Sequence, residues 1–78
     1  MATSNIQNNI RKLRFFAGEM TQQELADQVG VSRQTIVAIE KGNYSPSLDL
    51  AFRLARVFKT PLEEVFRYEM QKGKENGE

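Results

Sequence analysis

The sequence predicts an all-α fold, a compact five-helix bundle in a single domain. Three observations lead there. Apolar residues recur at three- and four-residue spacings along the chain, with no sustained alternation of the kind strands show. Helix-start signals, a Ser or Thr cap with or without a Glu three residues on, stand ahead of most of these apolar runs. Glycines or a proline punctuate the gaps between them. At 78 residues the chain is of single-domain length, and a domain this small must pack a well-patterned core because it buries only about 60% of its unfolded surface.

Taken in order, Ile6, Ile10, Leu13 and Ala17 share one helical face, so a first amphipathic helix is expected over about residues 6–17, ended by Gly18. Thr21-Gln22-Gln23-Glu24 has the form of a capping box, in which the Thr oxygen accepts from the Glu24 amide and the Glu24 side chain accepts from the Thr21 amide. The helix it opens carries Leu25, Ala26 and Val29 and stops at Gly30. Ser32 caps a third helix that runs to about Lys41, buries Ile36 and Ile39, and is ended by Gly42. Residues 43–46 read as a loop. Ser47 caps a fourth helix with Leu50, Ala51, Leu54, Ala55 and Phe58 inward. Thr60-Pro61-Leu62-Glu63 reads as a cap, a proline at the first helical position and a glutamate closing the box. The short fifth helix should bury Leu62, Val65 and Phe66, and no strand is expected. The domain is placed at residues 1–70, followed by a polar, disordered tail at 71–78.

Composition narrows the function. The chain has no cysteine and no histidine, so it lacks the thiolates that bind metal, the commonest general base and the commonest metal ligand. An enzyme, a cofactor and a metal site are therefore not expected. No apolar run is long enough to span a membrane, and the polar N-terminus has no signal-peptide core. A cytoplasmic location is the default. The net charge of +1, from 11 Lys+Arg and 10 Asp+Glu, says little about nucleic acid, because the distribution of charge matters more than its sum.

The segment 21–42 carries the strongest motif. Two helices joined by a tight glycine turn form a helix-turn-helix unit. Its offsets are met together: small Ala26 where the second helix crosses, Gly30 in the turn, Ile36 and Ile39 inward. Opposite those isoleucines lie Arg33, Gln34, Val37 and Lys41. Arginine bonds two acceptors on a guanine edge, glutamine pairs with adenine, and an apolar side chain suits a thymine methyl. Gln22, in the first turn of the preceding helix, is placed to hold a phosphate with the free amides there.

The stretch TQQELADQVGVSRQTIVAIEKGNYSPSLDLAFRLARVF resembles the phage-repressor and Cro type of helix-turn-helix, the XRE family, and the similarity covers about residues 10–66. That resemblance implies the five-helix fold of a phage-repressor-like DNA-binding domain. It makes Gln22 the phosphate-binding glutamine and puts Arg33, Gln34, Val37 and Ala38 at base-facing positions. Thr35 lies at the border of that face. Ser32, Lys41, Asn43 and Tyr44 join Thr35 and Gln22 as backbone contacts, with Asn43 and Tyr44 in the loop that commonly touches the duplex. Arg14 and Glu40 match a pair that often forms a buried ion pair between the first and third helices. Unlike the long phage repressors, the sequence carries no second oligomerisation or cleavage domain.

The expected function is a sequence-specific, double-stranded DNA-binding transcriptional regulator, a repressor acting as a homodimer on a palindromic operator, with the third helix in the major groove. Phe52 and Tyr68 are candidates for the two-fold contact, whereas Leu62 and Phe66 read as core. Phe15 lies off the first helix's stripe and has no assigned role. A second reading of the same fold is a protein-binding module such as an antitoxin. An antitoxin usually carries a longer C-terminal extension than the dozen or so mostly polar residues after Phe66.

Overall fold

A computed structural model describes residues 6–68. The expected tail at 71–78 lies outside them. The element order is β1 (Ile6–Asn8), α1 (Ile10–Phe16), α2 (Gln22–Val29), α3 (Arg33–Glu40), α4 (Leu48–Phe58), α5 (Leu62–Val65) and β2 (Phe66–Tyr68). The five helices stand in the expected order around one core of Ile10, Leu25, Ala26, Val29, Ile36, Ile39, Leu50, Leu54, Ala55 and Val65. Leu13, Met20, Val31, Val57, Phe58, Leu62 and Phe66 pack against it from the periphery.

The two strands correct the all-helical expectation. β1 and β2 pair antiparallel, with Ile6 opposite Tyr68, Gln7 opposite Arg67 and Asn8 opposite Phe66. Helix α1 therefore begins at Ile10, not near residue 6, and Phe66 belongs to a strand, not to the last helix. Two asparagines make the break. Asn8 Oδ1 accepts from the Ile10 amide at 3.2 Å, and Asn8 Nδ2 donates to the Ile39 carbonyl at the end of α3 at 3.0 Å. The Asn9 amide donates to the Val65 carbonyl at 2.9 Å, and its side chain donates to the Glu64 carbonyl at 3.0 Å. Asparagine competes well with helical backbone bonding, and here its bonds hold the N-terminal segment to the far end of the chain.

The helix boundaries otherwise follow local chemistry. The Thr21 capping box is complete: Thr21 Oγ1 accepts from the Glu24 amide at 3.0 Å and Glu24 Oε1 from the Thr21 amide at 2.9 Å. Gly30 has φ 77°, a left-handed conformation that glycine adopts without a Cβ penalty, and Val31 closes the turn by donating to the Ala26 carbonyl. Arg53 Nη1 from α4 donates to the Val29 carbonyl and ties the same helix end from outside. Ser32 and Ser47 cap α3 and α4, accepting from the Thr35 and Leu50 amides.

A second correction concerns Thr60. The N-cap of α5 is Pro61, with no side-chain cap, and the Thr60 hydroxyl is buried without a hydrogen-bond partner. The backbone explains the shift. Lys59 takes φ 56°, its amide donates to the Arg56 carbonyl, and the Thr60 amide donates to the Ala55 carbonyl. Those two bonds form the Schellman end of α4, so Thr60 belongs to the stop of one helix and not to the start of the next.

Candidate nucleic-acid interface

Helices α2 and α3 place the motif residues around one polar cluster. Arg14, on α1, reaches Glu40 at the last turn of α3 through two bonds, Nε to Oε2 at 2.7 Å and Nη2 to Oε1 at 3.1 Å. Its third nitrogen, Nη1, donates to the Met20 carbonyl at 2.8 Å. The side chains of Arg14 and Glu40 are only 15% and 11% exposed, so this bidentate pair is largely desolvated. Glu40 Oε1 also accepts from Gln22 Nε2 at 3.1 Å, and Gln22 Oε1 accepts from Arg33 Nη1 at 3.3 Å. The cluster therefore joins α1, α2 and α3 across the turn.

Around it lies an open groove of about 560 Å³ lined by Arg11, Arg14, Thr21, Gln22, Val37, Glu40 and Lys41. Arg33, Gln34 and Lys41 are exposed along α3. Val37 and Ala38 are half-buried, so Val37 is not the exposed apolar residue expected from the wheel. It lies in the wall of the groove. Ser32 and Thr35 share a hydroxyl contact of 3.1 Å at the start of α3, and Asn43 and Tyr44 are exposed in the loop after it. Arg11 was not singled out from sequence. It stands three residues before Arg14, which puts both on one face of α1, and that spacing was the available signal.

The helix-turn-helix family description matches residues 10–65, from the first residue of α1 to the last of α5. The chain belongs to the helix-turn-helix family. Its members of this XRE type are DNA-binding transcriptional regulators and not enzymes. An uncharacterized HTH-type transcriptional regulator of Methanocaldococcus jannaschii is 52% identical over 60 residues, covering 74% of this chain and 91% of that protein. The cryptic phage CTXphi transcriptional repressor RstR of Vibrio cholerae is 36% identical over 58 residues, 74% of this chain and 51% of the repressor. The fold matches the crystal structure of a putative DNA-binding protein from Bacteroides fragilis with TM-score 0.69 at 24% identity, over 80% of this chain and 98% of that one. In this helix-turn-helix protein α2 and α3 are the two helices of the motif, and Gly30 lies in its turn. Among the described residues no helix is long and apolar enough to cross a membrane.

Proposed function

We propose that the protein is a cytoplasmic repressor that binds a palindromic operator as a homodimer, each subunit laying α3 in the major groove. The observation that carries this reading is the exposed polar edge of α3 beside a groove whose lining includes Arg11, Lys41 and the Arg14–Glu40 pair. Arg33 and Gln34 stand at the N-terminal end of the helix, where a recognition helix meets base edges. Val37 and Ala38 follow one turn on and supply apolar contact. Gln22, Ser32, Thr35, Lys41, Asn43 and Tyr44 hold the phosphates on either side. Arg11 joins them from α1. The similarity to a phage repressor supports repression, by occlusion of polymerase.

A two-fold assembly is supported by apolar surface away from α3. Leu48 is 66% exposed and Phe52 50%, and the four-residue spacing puts them on one face of α4. Leu48 also lines a shallow apolar groove with Ile6, Pro46, Ala51, Leu62 and Phe66, at the edge of the two-stranded ribbon formed by β1 and β2. Apolar residues exposed side by side in this way offer a surface to a second copy of the chain.

Titration of a selected duplex with wild type and Arg33→Ala tests base reading. Loss of Arg33 should cost about 1–3 kcal/mol and relax preference at one base position. An equal loss on every DNA sequence would contradict it.

A further inference from the structure

The Gln22 carboxamide lies between a group that only accepts and a group that only donates. Its Nε2 faces Glu40 Oε1 at 3.1 Å and its Oε1 faces Arg33 Nη1 at 3.3 Å. A carboxylate has no proton to give and a guanidinium has no lone pair to offer. The amide therefore has one satisfied orientation, nitrogen inward and oxygen outward. Glu40 is itself fixed, because Arg14 binds both of its oxygens and is anchored in turn on the Met20 carbonyl. Donation converges on Glu40, from Arg14 on one side and Gln22 on the other, and Arg33 donates in turn to Gln22, so the chain of bonds links a largely desolvated pair to an exposed side chain.

We propose that Glu40 is a specificity-positioning residue: by locking the Gln22 amide it presents an acceptor to Arg33 and aims that guanidinium at a guanine. The inference rests on the reading of Arg33 as a base contact. A free arginine loses much rotamer freedom when it is fixed on a base, and a tether at Nη1 removes part of that loss before the duplex arrives. Holding Nη1 leaves the Nε and Nη2 edge, two parallel donors that match the N7 and O6 acceptors of guanine. The second hydrogen on Gln22 Nε2 remains to be donated to a phosphate. Glu40 touches no DNA in this scheme and acts only through Gln22.

The test measures the affinity of the full chain for a selected duplex and for every single-base replacement in it. Wild type, Arg33→Ala, Glu40→Gln and the double variant are compared, each checked for folding by thermal unfolding. Glu40→Gln keeps the side chain's size but lets position 40 donate, so the Gln22 amide is free to turn over. Glu40→Gln should weaken the guanine preference about three- to tenfold at the one position that Arg33→Ala relaxes. Other positions should be unchanged, and the double variant should lose nothing further there. Gln22→Met, near in size and without either polar group, should relax the same position even if Glu40→Gln does not fold. Uniform weakening by both variants with the guanine preference intact overturns the proposal and leaves base reading by Arg33 standing. Arg33→Ala without any position-specific loss overturns both.

Discussion

Single side chains divide here into those that build the α3 platform and those left over to use it. Glu40 belongs to the first group. Removing it strands Arg14, whose side chain is only 15% exposed, and breaks three hydrogen bonds that converge on one carboxylate. Glu40→Ala should cost about 2 kcal/mol, below the roughly 3–5 kcal/mol of a fully buried pair because both partners keep some contact with water. Melting temperature and DNA affinity should fall together, and thermal unfolding beside a binding titration reads both; unchanged melting would remove the anchoring role. Arg11 and Lys41 belong to the second group. They line the groove without a part in the Arg14–Glu40 pair. Alanine at either should weaken binding about equally on all sequences and lower the salt slope by about one. The sequence made Arg33 and Gln34 visible because they stand at fixed offsets from Ser32. It left Arg11 unseen because a cation on an outer helix face looks the same whether it meets phosphate or water.

At the scale of elements, the capping residues were legible and the ribbon was not. Thr21, Ser32 and Ser47 accept the amides their positions imply, since a cap depends on a few neighbouring residues. Ile6 misled because a separation of four from Ile10 fits a helical stripe and an alternating strand equally well. What decides between them is pairing with residues 66–68, some sixty positions away, a contact no local period encodes. Thr60 misled for a related reason: cap and stop signals overlap where two helices are close. Two substitutions probe these boundaries by chemical denaturation. Lys59 holds a left-handed φ of 56° without glycine's freedom, so Lys59→Gly should stabilise by about 0.5–1 kcal/mol. Asn8→Ala removes bonds to both Ile10 and Ile39 and should destabilise by about 1–2 kcal/mol. A neutral result there would mean that the ribbon docks on α3 without help from the side chain.

The molecule as a whole has a polar face along α3 and an apolar face built from α4 and the ribbon. Core positions were readable from α2 to α4: Leu25, Ala26, Val29, Ile36, Ile39, Leu50 and Leu54 are all buried, because helical periodicity assigns faces before any tertiary contact is known, whereas Ile6 and Ala17 on the expected stripe of the first helix are exposed and Leu13 is half-buried. Surface apolar residues were not readable in the same way. Phe15 and Phe16, 60% and 70% exposed, meet edge to face at a centroid distance of 5.5 Å, and nothing else in the structure explains their exposure. The face around Leu48 has a testable use. If it joins two subunits, Leu48→Asp should shift the protein toward monomer in sedimentation and weaken binding to a two-half-site duplex far more than to a single half-site. Equal weakening on both would place the two-fold contact elsewhere.

Whether the α3 surface reads DNA sequence is tested most directly by selecting bound sites from random duplex DNA with the purified full chain. The α3 arrangement calls for an enriched palindrome whose half-sites lie about one helical turn, or a multiple of it, apart. Enrichment that disappears with Arg33→Ala would trace it to this helix. A pool that stays random after selection, with binding governed by salt alone, would contradict sequence reading by α3.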